Sequence, residues 1–565
     1  MRGIIYNLWE AFGEIGIMSK VLARQLAHSK LYPVMLAFSL LAPFSAQSGE
    51  LSRNEVTTYR NAINDAARGR SAQAVTQVRR SQNEVAKDVV QWYALQQGSI
   101  PATFSTYANF IADHPDWPRC VEIEERLQCD LLRKQAEARI ATAPNMDAIR
   151  SFFASNPPLT PTGAAVYAES LRDKGEDEKA NAAIRRFWVN GGMNRSEQTE
   201  FFDKHRGILT EADREARVDR LLWDAAASSS RSEGDAIRGN VKAVIPTLSD
   251  KAAQAVAIAR VALQEDAPDA ATRLREVPES HASTPGLMYD RARRLAGKDD
   301  ERAAAQILIT HGPSTDGKPG AWWRLRERVV RELLADGDVT IAYRVANEHG
   351  LKPEDGVPYL SAAWTAGWIA LRFKDDPNAA AQHFKGMYDA STSVISKARG
   401  AYWMGRAVFA MGGQNDTAKQ WYTVAAQHGT TFYGQLAAHE LYGDVLVRPP
   451  TVSSEPTAAE KAAFNNRDMV RAVRVGVEIG NHSVAKAFTN ALADAAKTQT
   501  DATLAVRLGA ELRRPDLAAW AAKRIGRLGF EVPEEGYPTI RFAVPSQPEA
   551  ALIHSITRQE STFYA

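Results

Sequence analysis

The sequence predicts an all-α protein, and two observations lead to that prediction. Ala, Arg, Leu and Glu, which favour helices, are abundant, while runs that alternate Val, Ile, Thr and aromatic residues are scarce. A pattern of paired helices also repeats in the second half of the chain. With 565 residues, 45% of them hydrophobic, the chain is long enough for several domains with large cores.

The internal repeat has an offset of 38 residues, from 364 to 402. Each unit places an aromatic and a small residue on one helical face and passes through a Gly-containing or Asp-Pro turn into a second helix. Such pairs are the units of a tetratricopeptide-like superhelix, in which stacking buries faces that no single pair can bury. The recurring positions are Trp364, Gly367, Ala370, Leu371, Asp375, Ala380 and Phe384, then Tyr402, Gly405, Val408, Phe409, Gly413, Ala418 and Tyr422.

Proline-rich breaks divide the chain into predicted domains. Helix-turn patterns continue upstream of the repeat, so residues 49–445 are predicted to form one long superhelix, shaped as a ring or a horseshoe. The break VRPPTVSSEPT precedes a small helical linker domain, residues 458–530. A second break leads to the terminal segment, residues 546–565, which has the pattern of a single amphipathic helix. Pro and polar clusters of this kind typically join packed units.

The N-terminal residues 1–48 are predicted to be a Sec-type signal peptide. Basic residues precede the apolar run LYPVMLAFSLLAPF, and the small residues that follow suit cleavage after Ser48. An uncleaved membrane anchor is the alternative, although the run is short and interrupted by proline. Translation starts at Met1 or at Met18; the second start gives a leader without acidic residues.

Charge and cysteine content narrow the choice of partners. The leader carries four of the 69 basic and two of the 67 acidic residues, so the rest of the chain is formally neutral and no nucleic-acid partner is predicted. In an exported chain Cys120 and Cys129 can form a disulfide. They would lie on opposite sides of a straight helix, so a bridge requires a turn between them, and two free thiols are the alternative. Without clustered histidines, no metal site is predicted.

Three local patterns are interpreted as structural, and no cofactor is predicted. The stretch GPSTDGK has the spacing of a phosphate-binding loop, but Pro319 stands where a hydroxyl should bind magnesium, so a surface loop is expected. The stretch HELYG at His439 lacks the second histidine of a zinc protease. Four tryptophans could stack on sugar rings, yet their spacing favours core packing; they are Trp322, Trp323, Trp403 and Trp421.

Five stretches of the sequence indicate a protein family. None is decisive alone, but their order and spacing together are specific. They are HPDWP (114–118), LTEADREARVDRLLW (209–223), TTFYGQLAAHELYG (430–443), GYP (536–538) and ALIHSITRQESTF (551–563). This sequence resembles the soluble lytic transglycosylases of bacterial peptidoglycan over nearly all of the chain after the leader. The resemblance implies a periplasmic monomer with a ring-shaped helical domain before a lysozyme-like catalytic domain. It also implies that peptidoglycan glycan strands, and other cell-wall enzymes, are the partners.

In that family the catalytic domain opens with a helix that ends in Glu-Ser, followed two positions later by an aromatic residue. The matching residues are Glu560, Ser561 and Phe563, so the resemblance implies that Glu560 is the catalytic acid; the roles of its two motif neighbours are left open. The implied reaction cleaves the β-1,4 bond between N-acetylmuramic acid and N-acetylglucosamine without water and leaves 1,6-anhydro ends. Such an acid must hold its proton near neutral pH, which an apolar, partly buried setting favours.

The family's catalytic domain extends well beyond one helix, whereas residues 550–565 supply only its opening. The chain as written is therefore expected to lack lytic activity and to be a fragment of such an enzyme. A noncatalytic periplasmic helical-repeat protein that binds peptidoglycan or a cell-wall enzyme is the alternative. An unrelated tetratricopeptide-like adaptor is a third interpretation. The readable motif at Glu560 favours the first of these.

Overall fold

A computed structural model describes most of the chain after the predicted leader. The predicted signal peptide and the stretch 312–317 of the phosphate-loop pattern lie outside the described residues. The same is true of the part of the second proline-rich break at 540–549. The described residues are 50–98, 100–123, 126–310, 318–412, 415–443, 452, 454–539 and 550–564.

Within these residues the secondary structure is almost entirely helical, and the predicted all-α class is confirmed. None of the described helices is long and apolar enough to cross a membrane. One short hairpin interrupts the helices, with strands β1 (Cys120–Ile123) and β2 (Arg126–Cys129). The helices before the hairpin are α1 (Arg53–Ala67), α2 (Ser71–Val78), α3 (Glu84–Gln97) and α4 (Phe104–Asp113).

The remaining helices follow the hairpin in chain order. They are α5 (Leu131–Ala138), α6 (Met146–Ser155), α7 (Pro161–Arg172), α8 (Asp177–Asn190), α9 (Arg195–His205), α10 (Glu211–Ala227), α11 (Arg231–Val244), α12 (Lys251–Gln264), α13 (Ala270–Arg275), α14 (Pro285–Ala296), α15 (Glu301–Thr310), α16 (Pro319–Ala335), α17 (Val339–Asn347), α18 (Val357–Phe373), α19 (Pro377–Ala390), α20 (Val394–Ala410), α21 (Asn415–Ala426), α22 (Phe432–Tyr442), α23 (Ala458–Asn465), α24 (Asp468–Glu478), α25 (His482–Asp494), α26 (Gln499–Glu511), α27 (Pro515–Arg527) and α28 (Ala550–Glu560).

The helices begin and end at residues that are known to cap helices and can be recognised in the sequence. Thr210 and Asp213 cap each other's backbone N–H groups at the start of α10, which satisfies two donors that the first turn leaves open. Pro161 occupies the first position of α7, where no N–H is needed. Gly98 ends α3 in the left-handed region with φ 69°, a conformation that glycine adopts without steric cost.

The chain divides into two compact units. Residues 300–450 form the first unit, which contains α15 to α22. Residues 49–299 and 451–565 together form the second, which contains α1 to α14 and α23 to α28. The domain boundaries predicted from the proline-rich breaks stay predictions.

The first unit contains the 38-residue repeat, and the helix crossings it predicted are present. A Cβ placed on Gly367 in α18 would lie 2.7 Å from the ring of Phe384 in α19. A Cβ on Gly405 in α20 would lie 2.6 Å from the ring of Tyr422 in α21. Both aromatic side chains are buried, at 0% and 5% exposure. The repeat is therefore a repeated contact between a glycine and an aromatic ring, which lets paired helices approach closely.

We expect Gly405→Ala to destabilise the first unit by about 1–3 kcal/mol, because the added methyl would overlap the buried ring of Tyr422. Chemical denaturation followed by circular dichroism measures the change. Gly320→Ala in α16 is the matched control, because its Cβ would meet Arg324 and Pro358 at ordinary contact distances of 3.5 and 3.9 Å. The control should be neutral or slightly stabilising. Equal effects from the two substitutions would contradict the packing argument.

In the second unit, one hydrophobic core joins helices from the two distant ends of the described chain. Phe488 of α25 packs against Trp92 of α3, with ring centroids 4.9 Å apart, and against Trp117, at 4.8 Å. The carboxylate of Glu478 accepts hydrogen bonds from the backbone N–H groups of Glu50 and Leu51, at 2.8 and 2.9 Å. The segment after the first proline-rich break therefore packs directly on the first helices.

A buried arginine in the stretch 209–223 joins three helices. Arg217 of α10 is 0% exposed and its guanidinium lies over the ring of Trp188, 4.6 Å from the centroid. It donates hydrogen bonds to the backbone oxygen of Trp188 and, at 2.8 Å, to Gln198. Burial lowers the pKa of Arg217 to about 9, and the nearby charge of Arg220 adds to this. The role of this residue is to join α8, α9 and α10.

The two cysteines are joined by a disulfide across the hairpin. The strands are antiparallel and Cys120 pairs directly with Cys129 in the register. The chain therefore reverses direction between the two cysteines, and this is the turn that a disulfide between them requires. The backbone N–H of Asp130 donates to the oxygen of Arg119 at 2.8 Å, which continues the ladder one residue past the disulfide.

Replacing both cysteines, with Cys120→Ala and Cys129→Ala together, should lower the stability of the second unit by about 2–3 kcal/mol, the loop-closure entropy of a short cross-linked loop. Urea denaturation of the oxidised chain, the reduced chain and the double variant tests this. The reduced chain should match the double variant. A double variant as stable as the oxidised chain would show that the disulfide does not constrain the unfolded state.

Candidate active site

The predicted catalytic residue lies at the end of the last described helix. Glu560 is the final residue of α28 and its side chain is exposed, as is that of Ser561. Phe563 is partly buried and lies 6.4 Å from the ring of His554 on the same helix. The three motif residues therefore occupy a helix end and the turn that follows it.

Helix α28 forms where the sequence predicts it, but its apolar stripe is not covered. Leu552 is 45% exposed and Ile556 is 53% exposed, and none of the residues of this helix is buried. The helix is attached to the second unit by its polar side chains and its C-terminal end rather than by an apolar face.

Two cations hold the C-terminal half of α28 in place. Arg558 donates a hydrogen bond to the backbone oxygen of Gly536 at 3.2 Å, and its guanidinium lies 4.6 Å from the ring centroid of Tyr537. Lys523 of α27 donates to the oxygen of Gln559 at 3.1 Å, so a cation caps the negative end of the helix dipole. The helix that carries Glu560 therefore packs on the stretch GYP through Arg558.

The turn after Glu560 has an unusual backbone that its neighbours stabilise. Thr562 and Phe563 have φ values of 55° and 61°, in the left-handed region that residues with a side chain rarely occupy. Thr562 is 1% exposed and its hydroxyl lies 3.4 Å from the ammonium of Lys523. Tyr564 stacks on His482 of α25, with ring centroids 3.7 Å apart. These contacts fix where the chain leads after Glu560.

The electrostatic setting of this segment is cationic. Burial lowers the pKa of Lys523, the charges of Arg558 and Arg527 lower it further, and the carboxylate of Glu560 acts in the opposite direction. Burial also lowers the pKa of Arg558. A glycosidic acid requires an apolar, partly buried carboxyl. In the described part of the chain Glu560 is exposed, so these residues hold its backbone in position but do not desolvate its side chain.

The tryptophans and the histidine that the sequence patterns singled out lie within the helical framework. Trp322, Trp323 and Trp403 are 2%, 4% and 5% exposed, which confirms the prediction that they pack in a core; Trp421 is half-buried. His439 lies on α22. Within the described ranges no group of three or more His, Cys, Asp or Glu side chains is arranged to hold a metal ion.

Comparison with known proteins defines the class of fold. No protein-family model matches the chain, and no curated protein matches it. Solved structures do match it, and two of them align with about nine-tenths of its length. The chain therefore has the fold of the soluble lytic transglycosylases, and the resemblance predicted from the sequence is confirmed at the level of the fold.

The two structures share the fold of this chain at low sequence identity. One is an inactive Glu-to-Gln mutant of the lytic transglycosylase Slt of Pseudomonas aeruginosa, 16% identical, with a TM-score of 0.60 and coverage of 90% of this chain and 77% of that one. The other is the 70 kDa soluble lytic transglycosylase of Escherichia coli, 16% identical, with a TM-score of 0.57 and coverage of 91% of this chain and 78% of that one.

Replacing Lys523 should loosen the end of α28 without unfolding the second unit. Lys523→Met removes the hydrogen bonds to Gln559 and Thr562, so amide hydrogens of residues 557–564 should exchange several-fold faster with deuterium. Hydrogen–deuterium exchange with mass spectrometry measures this. Lys497→Met, at an exposed position, is the control and should leave the exchange unchanged. Unchanged exchange in Lys523→Met would show that the cation does not hold the helix end.

Proposed function

We propose that this chain is the helical part of a periplasmic lytic transglycosylase, with Glu560 as the catalytic acid. The observation that carries the proposal is the fold, which the chain shares over 90% of its length with a lytic transglycosylase. The Glu-Ser pattern at Glu560 and its support by the GYP stretch agree with it. That a Glu-to-Gln mutant of the P. aeruginosa relative is inactive also favours a catalytic glutamate.

In the proposed reaction one carboxyl serves both steps. Glu560 gives its proton to the bridging oxygen as the bond from that oxygen to the anomeric carbon of N-acetylmuramic acid breaks. The 6-hydroxyl of the same sugar then attacks the anomeric carbon, and Glu560 takes the hydroxyl proton. The nucleophile is already part of the substrate, so no water enters and the product is a 1,6-anhydro sugar. The helical units would position the glycan strand for this step.

We propose further that the 565-residue chain alone has no lytic activity, because Glu560 is exposed in it. A glycosidic acid needs an apolar, partly buried carboxyl, and the described residues do not provide that setting. The same exposure favours the second candidate function, a noncatalytic helical protein that binds peptidoglycan or a cell-wall enzyme. The two functions differ in whether any product of the natural gene cleaves glycan.

The test compares two proteins on purified peptidoglycan, with mass spectrometry of the released fragments. The 565-residue chain should release no 1,6-anhydro product. The protein expressed from the natural gene, with the DNA that follows codon 565 retained, should release it. Glu560→Gln should abolish that release, and Glu534→Gln, in the nearby turn, should not.

Three results would count against the enzyme proposal. The first is release of products with ordinary reducing ends, which indicates hydrolysis. The second is undiminished release of anhydro product by the Glu560→Gln variant. The third is an inactive natural gene product that still binds peptidoglycan in a sedimentation assay, which supports the binding-protein function.

A further inference from the structure

A cavity of about 530 Å³ lies in the N-terminal part of the second unit, among α4, the base of the hairpin, α5 and α6. Its volume is typical of sites for small ligands. Its lining includes Trp117 and His114 of the stretch HPDWP, which the proposed catalytic function does not use, and it shares no residue with the segment that carries Glu560.

The floor of the cavity is aromatic. Phe104, Phe110, Trp117 and Phe152 line it and are 0%, 5%, 8% and 6% exposed. Phe104 and Phe152 meet edge to face at 5.2 Å, and Phe110 and Trp117 do so at 5.8 Å. The rings pack on one another with little of their surface exposed, so they form a fixed apolar floor to the cavity rather than open faces for stacking.

The rim is polar and uncharged on its two helical sides. Ser105 and Asn109 lie four residues apart on α4, and Ser151 and Ser155 lie four residues apart on α6, so each pair shares one helical face. Each of these side chains can both donate and accept a hydrogen bond, as sugar hydroxyl and acetamido groups require.

The third side is cationic. Arg119, Asp130 and Arg133 line the cavity at the base of the hairpin, and Asp130 lies 3.3 Å from Arg133. The buried Nε of Arg133 has no hydrogen-bond partner among the described residues. Asp130 pairs with the guanidinium of Arg133, which also donates to the backbone oxygen of Pro157, and Arg119 is exposed at the rim. This side favours a ligand that carries a carboxylate.

We propose that this cavity binds an acidic N-acetylated sugar, with its ring on the aromatic floor, its hydroxyl and acetamido groups at the two helical rims and its carboxylate at Arg119. An extended peptide fits less well, because the backbone groups of α4 and α6 are engaged within those helices and offer no strand edge. The choice of N-acetylmuramic acid as the ligand rests on the proposed function; the preference for an acidic sugar does not.

The experiment titrates the 565-residue chain with N-acetylmuramic acid and with N-acetylglucosamine, which lacks the carboxylate, and follows binding by isothermal calorimetry. N-acetylmuramic acid should bind about tenfold more tightly, as a charge-assisted hydrogen bond implies. Arg119→Gln should remove this difference and leave N-acetylglucosamine binding unchanged, while Arg119→Lys should keep part of it. Arg80→Gln, at an exposed turn, is the control and should behave like the unmodified chain.

Equal affinity for the two sugars, or a preference that survives Arg119→Gln, would overturn the proposal. Binding of the dipeptide D-alanyl-D-alanine in place of either sugar would show a peptide site and would overturn it as well. Because the titration involves no cleavage, its outcome is separate from that of the peptidoglycan assay. A chain that binds N-acetylmuramic acid but belongs to no active enzyme would refute only the proposed reaction.

Discussion

The second unit depends on the burial of one helix, α25, against the first hundred described residues. Phe488 fills the space between Trp92 and Trp117, and Lys486 forms an ion pair at 2.7 Å with Glu122 on the hairpin. Joining segments so far apart in the chain costs loop-closure entropy, but this cost grows only slowly with length and the burial of three aromatic rings offsets it. Helix α24 adds to the same core, with Val470 and Val473 buried in it, so the N-terminal helices and those after residue 457 share one interior.

The first unit is organised differently, by contacts between neighbours in sequence. Each helix pair in the repeat is closed by a glycine against an aromatic ring, so the interactions extend only from one pair to the next. This kind of unit is what a sequence pattern predicts well. The helix contacts at Gly367 and Gly405 can be predicted from the sequence, because the spacing of small and aromatic residues indicates where the two helices of a pair cross.

Other features could not be derived from spacing. A separation of nine residues between Cys120 and Cys129 fits both a hairpin and a helix, so the spacing alone does not predict the disulfide, whereas the strand register places the two cysteines opposite each other. The motif placed Glu560 at a helix end, but its exposure depends on what packs nearby in space. Lys523 and Arg558 were missed, because their role comes from partners that lie more than 20 residues away.

Helix α25 also joins the two places where we propose chemistry and binding. His482, in its first turn, stacks on Tyr564 beside the Glu560 turn, and Phe488 packs on Trp117 in the wall of the cavity. These two side chains are six residues apart, about 9 Å along a rigid rod at 1.5 Å per residue. A helix of this length does not shift at one end alone. One rigid helix therefore sets the distance between the cavity and the turn that follows Glu560.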